Sequence, residues 1–551
     1  MSDNDQIRGL TPIFVLLLLA GCGDTGMTTS VDDILVNGKI LTLDHAGTVA
    51  SVVVVNDGRI VAVGGEELTD RFDATTTTDL QSRVLMPGFI DTHTHIRGQP
   101  KRYIDLTGTR SICELKQQVA DKAMELGPGE WITGYGWSED VMEELRRPTR
   151  TDLDAAAPDN PVYLHRAGGH SVVVSSLGLQ LAGIDRDTPD PDGGLIERDG
   201  TGELNGIIRE QGDSVSRLIP EATDAEVRDS LVAMLKDQLT LGITSLVQAT
   251  GTIENYQEWE RIYREHAGLL PRAAVQVAWE GSDAMAAFGR KTGDGDEFLK
   301  LAAVKIFVDG GFTGPAAYTK EPYRGQDDYR GKLNLSVEEL RRIINEAHGA
   351  GWQLGIHAIG DAAIELTVDE LVAALQSAPR ADHRHYLNHF TVMPSSETMI
   401  AMADNEIAIT QQPNFTYTLE GRYVEYLDGD RLQHNNPLRT PMDYGIHVAI
   451  SSDILPIGPM VGIQAAVTRK GMSGAVYAKE EALTVVEALR AYTALGAWLT
   501  FDERDTGTIE PGKLADMIVL DQDILAIDPD HIMNTRVVQT WLGGKLVYRE
   551  R

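Results

Sequence analysis

The sequence predicts an α/β fold: a (β/α)8 barrel of the TIM type, a small sheet domain built from both chain ends, and a cap inserted after the first barrel strand. Three observations lead there. The middle of the 551-residue chain alternates apolar, strand-like runs with helical patterns. Both ends carry short β-like runs. The segment from about 97 to 240 separates the first two strand candidates and is too long to be a loop.

At the N-terminus, Arg8 precedes an apolar segment from Leu10 to Leu19. It is too short to span a bilayer comfortably and has the character of a signal-peptide core. Leu19-Ala20-Gly21-Cys22 resembles a bacterial lipobox, in which Cys22 becomes the lipidated first residue of the mature chain. Asp3 and Asp5 oppose Arg8 and weaken the charged region that normally leads such a signal. Residues 1–22 therefore read as a lipoprotein signal and 23–31 as a small, polar tether. The expected location is the bacterial cell envelope, on the periplasmic face of the outer membrane, with the lipid as the sole membrane contact. Cys113 is the only other cysteine, which leaves no partner for an intramolecular disulfide once Cys22 is acylated.

From 32 to 83, "DILVNGKILTLD" and "TVASVVVVNDGRIVAVGG" place Val and Ile runs around Asn-Gly and Asp-Gly, the signature of hairpins. The same texture returns from 501 to 551 in "ADMIVLD" and "VVQTWLGGKLVY". Joining the two ends in one domain avoids two sets of unpaired edges.

The barrel is expected from 84 to 500. Its strand candidates are 84–91, 242–249, 272–278, 301–308, 352–358, 384–390, 406–412 and 447–453, with helical patterns such as "SVEELRRIINEAHGAG" between them. The cap has strand-like stretches of its own, "EWITGYGW" and "PVYLHRAGGHSVVVSS".

Composition narrows the function. Acidic residues number 82 against 49 basic, a net charge of −33. That field disfavours nucleic acid and anionic lipid surfaces and leaves a small molecule as the expected partner. There is no Gly-rich strand–turn–helix fingerprint or P-loop for a nucleotide cofactor. The oligomeric state is left open, with an assembly of identical copies compatible.

The chemistry sits at the strand ends. In "MPGFIDTHTHIRG", His93 and His95 are two residues apart, so in a strand they share one face about 6.5 Å apart. Two imidazoles at a strand end suit a transition metal; they equally suit a polar strand end whose histidines bond to neighbours. Lys305 lies in the fourth strand, His357 ends the fifth, His389 the sixth and Asp453 the eighth. A barrel brings all these ends to one face.

With those motifs, the chain resembles the amidohydrolase superfamily and, within it, the amidohydrolase family 3 group. The matching stretches are "MPGFIDTHTH", "GHSVVVSS", "VKIFVDG", "IHAIGDAA", "NHF", "SSD" and "GTIEPGKLADMIVLD", and the likeness runs from about 32 to 551. It implies that the terminal sheets form a β-sandwich, that His93 and His95 bind one metal, and that His357 and His389 bind a second. It implies a bridging Lys305 carboxylated by CO2, and an Asp453 that binds metal and handles the proton. Trp137 and His170, both in the insertion, are implied as substrate contacts; packing within the cap is the alternative for each. The chain departs from the pattern at Asn388, where the group often has glutamate, and in "DGGFTGPAAY" after Lys305.

The expected activity is metal-dependent hydrolysis of a non-peptide carbon–nitrogen bond through a metal-activated hydroxide. Zinc suits the imidazole and carboxylate ligands, as one ion or two; iron and manganese are alternatives. Two other readings are an ester or lactone hydrolase with the same site, and a non-catalytic surface lipoprotein that binds a ligand at the barrel mouth. The first is separated by assay, the second by loss of a ligand residue, and all six candidates are present.

The lipobox reading is tested in a bacterial host. Cys22→Ala should move the protein from the membrane fraction to the soluble or unprocessed pool. Unchanged fractionation and mass would overturn it.

Overall fold

A computed structural model describes residues 28–139, 142–167, 171–191, 194–210, 212–266, 268–312, 315–454 and 457–550. Cys22 with the signal segment, and His170 in the cap, lie outside the described residues. Eight strands pair in parallel and in chain order: β1 (Phe89–Thr94), β2 (Ile243–Gln248), β3 (Arg272–Ala278), β4 (Leu299–Phe307), β5 (Leu354–Ala358), β6 (Tyr386–His389), β7 (Ala408–Gln411) and β8 (Val448–Ile450). A parallel bridge between Thr94 and Asp453 joins the first strand to the end of the last. The sheet is thus a nearly closed barrel of the TIM type.

The strands are buried on both faces, as helix-covered parallel strands must be, which is why they read as near-continuous apolar runs. The helices follow the opposite rule and are apolar on one stripe. In helix Val337–Gly349, Leu340, Ile343, Ile344 and Ala347 are buried, the spacing of one helical face, and Ser336 caps the start by accepting the Glu339 N–H.

Two sheets form the terminal domain. One has four strands, in the order Arg59–Gly64, Val52–Asn56, Thr29–Val36, Phe72–Asp79. The other has six, drawn from both chain ends: Lys545–Arg549, Val537–Leu542, Met517–Leu520, Val84–Pro87, Lys39–Leu41, Val49–Ala50. Leu35, Val53 and Ile60 of the first pack against Ile40, Leu85, Met517 and Trp541 of the second.

Three boundaries differ from the sequence expectation, each for a local reason. The run 84–91 is two strands rather than one. Val84–Pro87 pairs antiparallel with Met517–Leu520 in the terminal domain, and the barrel strand starts at Phe89. Gly88 between them lies so close to β2 that a Cβ would fall 2.2 Å from Thr244 Oγ1. Asn37-Gly38 is no hairpin, because the strands on either side enter different sheets. A Cβ on Gly38 would lie 2.6 Å from a Leu80 methyl carbon. By contrast Asp57-Gly58, at φ 49° and 72°, does turn a hairpin.

The third boundary is the end of the insertion. Its six-stranded sheet runs Leu195–Arg198, Leu204–Arg209, Ser171–Val174, Val162–Arg166, Ile132–Trp137, Tyr103–Asp105. Alternate residues fill separate cores on its two faces: Leu164, Val173 and Ile207 on one side, Tyr163, Val172 and Ile208 on the other. Helix Asp224–Thr240, however, buries Leu231, Leu235 and Leu239 and belongs to the barrel as the crossover from β1 to β2. Among the described residues no helix is long and apolar enough to cross a membrane.

Candidate metal centre

The C-terminal ends of β1, β4, β5, β6 and β8 gather the six side chains expected as ligands. His93 is fully buried in β1, and His95 follows the strand with its side chain 20% exposed. Their Nε2 atoms converge to 3.3 Å. The Asp453 carboxylate closes the group, 3.5 Å from His95 Nε2, 4.0 Å from His93 Nε2 and 3.9 Å from His389 Nδ1. His93, His389 and Asp453 each offer one ligand atom within 4.8 Å of the others. The His357 ring packs at 4.4 Å, centroid to centroid, on that of His389.

Two amides, one in β6 and one just after β7, fix the rings. His93 Nδ1–H donates to Asn388 Oδ1 at 2.6 Å, and His389 Nδ1–H donates to Gln412 Oε1 at 2.7 Å. Each bond assigns the tautomer and leaves the Nε2 lone pair free for the centre. The backbone is bent to the same end. His389 (φ 78°), Phe390 (51°) and Asp453 (58°) all adopt the left-handed region. That conformation costs a non-glycine residue about 1–2 kcal/mol, and such strain collects at functional sites.

Burial sets the protonation. It holds His93 and His389 well below the ordinary histidine range and brings His95 and His357 down to about 3, with the Lys305 charge acting in the same direction. Four imidazoles are therefore neutral donors at neutral pH. Burial also pulls the Lys305 ammonium well down, against the Asp453 charge, and pushes the Asp453 carboxyl up, against the Lys305 charge.

This donor set fits a divalent cation. Lys305 Nζ and His357 Nε2 are buried without a hydrogen-bond partner, a costly state that a cation centre with its ligands relieves. Zinc–nitrogen bonds of 2.0–2.1 Å in tetrahedral geometry place two ligand nitrogens about 3.3 Å apart. The His93 and His95 nitrogens are spaced so.

Of the other expected site residues, Trp137 is a packing residue. It is fully buried in the cap core and its indole N–H donates to the Leu164 carbonyl at 3.0 Å. His170 lies outside the described residues. Sequence reasoning noted Asn388 only as a departure and passed over Gln412, Asp309 and Asp91. Asp309 is buried and accepts the N–H groups of Tyr318, Ile359 and Gly360, tying the segment after β4 to the end of β5; its Oδ1 lies 3.7 Å from His357 Nε2. Burial pushes its pKa up to about 7. The available signal was a polar residue inside an apolar strand run, which must find a partner.

Comparison with known proteins agrees with this geometry. The model of the Amidohydrolase family matches residues 76–548. YtcJ of Bacillus subtilis is 32% identical over 534 residues, covering 93% of this chain and 98% of that protein. An N-substituted formamide deformylase of Arthrobacter pascens is 29% identical over 550 residues, covering 95% and 99%. Among solved structures, an uncharacterized metal-dependent hydrolase of Pyrococcus horikoshii superposes with a TM-score of 0.70 at 26% identity, covering 91% of this chain and 99% of that one.

The orienting amides are testable. Asn388→Ala frees the His93 ring and should weaken metal affinity by about 10–100-fold, the usual effect of losing such a partner. Competition against a chelator reads it, and unchanged affinity would mean that the bond has no orienting role. With ligands, orienting groups and relatives in agreement, the chain belongs to the amidohydrolase family and is a metal-dependent hydrolase of carbon–nitrogen bonds.

Proposed function

We propose that the protein hydrolyses a non-peptide amide of a small molecule, with Asp453 as the proton-transferring group and a carboxylated Lys305 as a ligand. The observation that carries this reading is the Lys305 amine, buried among four imidazoles with no hydrogen-bond partner. A bound divalent cation, for which zinc best suits the donors, supplies Lewis acidity toward the amide oxygen and lowers the pKa of water.

The chain's own residues supply the rest. Burial depresses the Lys305 pKa, so the amine is available neutral; its nitrogen adds to the carbon of CO2 and sheds one proton, leaving a carbamate with two oxygens. Those oxygens and the two histidine pairs make room for one ion or two. Asp453 faces the same space from β8, and burial raises its proton affinity. It takes the proton of the attacking water and delivers it to the leaving nitrogen. Ester or lactone hydrolysis would need no such delivery to nitrogen, so matched amides and esters separate the readings. The relative named as an N-substituted formamide deformylase supports the amide.

Asp453→Asn keeps the shape and removes the basicity. In metal-loaded protein kcat should fall about 10²–10⁴-fold with metal content retained; unchanged kcat would remove Asp453 from this role. Lys305→Ala tests the carbamate. Metal reloading of the apo protein should be faster with bicarbonate in the wild type and insensitive to it in the variant, with fewer ions bound. A variant that keeps full metal content and turnover would make Lys305 structural.

A further inference from the structure

Beneath the candidate metal centre the barrel interior changes character in one step. Ala303, Tyr386, Ala408 and Ala449 form a layer with Leu499 that is apolar but for one phenol. Two residues beyond Tyr386, Ala408 and Ala449, and so on the same face, stand Asn388, Thr410 and Ser451. All three are fully buried, as are Thr92 of β1 and Gln412 just after β7. β8 lies between β7 and β1, yet Thr92 Oγ1 and Thr410 Oγ1 are 2.5 Å apart. Only side chains converging inside the barrel can meet across an intervening strand. Such layers are ordinarily filled by branched apolar residues, so three hydroxyls here need a reason.

Their hydrogen bonds run in one direction. The His389 Nδ1–H donates to Gln412 Oε1. The other end of that amide faces the Thr410 carbonyl at 3.3 Å and Ser451 Oγ at 2.8 Å. A carbonyl only accepts, so this end is the NH2 and the end toward His389 is the oxygen. The tautomer of His389 is thus decided one step behind the amide, which by itself could turn over. Ser451 Oγ receives the Gln412 hydrogen and lies 3.0 Å from Thr410 Oγ1 and 3.3 Å from the Gln411 carbonyl, to either of which it can donate. Thr410 Oγ1 meets Thr92 Oγ1, and Thr92 Oγ1 donates to the Ile450 carbonyl at 3.3 Å. Because the chain ends on a carbonyl, each hydroxyl accepts from the His389 side and donates away from it, and bonds aligned in this way strengthen one another.

We propose that Ser451 and Thr410, with Thr92 behind them, are positioning residues of the metal centre: their buried relay fixes the Gln412 amide, which holds the His389 proton on Nδ1 and leaves Nε2 bare for a cation. The inference goes beyond the amide reading above. It rests on His389 as a metal ligand and not on which bond is cleaved.

The test uses full-length protein with cobalt(II) as the probe metal. Affinity is read by competition against a chelator, and ligand geometry by the visible spectrum of the bound ion. Ser451→Ala should weaken affinity by about tenfold, the lower end of what losing a group that orients a ligand costs, and should shift the spectrum. Ser451→Thr keeps the hydroxyl and should restore most of the affinity. The deciding measurement repeats Ser451→Ala in a Gln412→Ala background. A relay that acts through the amide has nothing left to act on there, so affinity should change by less than about twofold. An effect of equal size in both backgrounds would make Ser451 a packing residue and overturn the inference, as would wild-type affinity and spectrum in Ser451→Ala. Thr410→Val, with Thr410→Ser as its rescue, carries the same comparison if Ser451→Ala folds poorly. Unchanged affinity and spectrum in His389→Ala would remove His389 as a ligand and overturn the inference too. None of these readouts uses turnover, so the relay and the amide reading fail separately.

Discussion

The centre depends on one seam. Where β1 meets the end of β8, the Asp453 N–H donates to the His93 carbonyl at 2.8 Å, and the Ser452 N–H donates to the Asp91 carboxylate at 3.1 Å. These bonds close the barrel, and they also set a β8 carboxylate beside two β1 imidazoles. Residues about 360 positions apart in sequence become neighbours because the last strand has nowhere else to pair. Asp91 is fully buried and also accepts the His93 N–H at 3.3 Å, so one carboxylate serves both sides of the seam.

Closing the barrel there has an electrostatic cost. Four histidines, a lysine and an aspartate are removed from water within a few ångströms, and burial drives each toward its neutral form. The imidazoles then become competent donors and the amine is more easily deprotonated, which is the direction a cation requires. The chain's polar partners go to aiming the rings rather than to neutralising charge, as the amides of Asn388 and Gln412 show. Folding and metal binding are therefore linked, since the ordered site is the one with unsatisfied donors.

Much of this was legible in the sequence. Parallel strands must be apolar on both faces and helices on one, so seven of the eight strand candidates lie within a few residues of their observed positions. The candidate ligands stood at strand ends, where a barrel collects them. What misled were features whose meaning is tertiary. Gly88 and Gly38 read as ordinary turn or strand residues, yet each marks a place where the chain leaves one sheet for another and a side chain would strike Thr244 or Leu80. Helix Asp224–Thr240 has a clear start at the Thr223–Glu226 capping box, but only its packing assigns it to the barrel. Trp137 and the orienting amides were indistinct because local sequence does not state which face of a strand meets which neighbour.

The insertion poses a problem of rigidity, since it leaves the barrel directly after two candidate ligands. The structure pins the exit segment at successive points. The Ile96 N–H donates to Gln248 Oε1 at 2.8 Å, tying the segment to the end of β2. The Gln99 N–H donates to Ser230 Oγ at 2.9 Å, on the first barrel helix. Between them Gly98 runs so close to that helix that a Cβ would fall 2.0 Å from the Val227 carbonyl oxygen. These contacts anchor the exit segment to the barrel directly after His93 and His95. The barrel frame holds the candidate metal centre, while the loops around its mouth are free to differ in what they recognise.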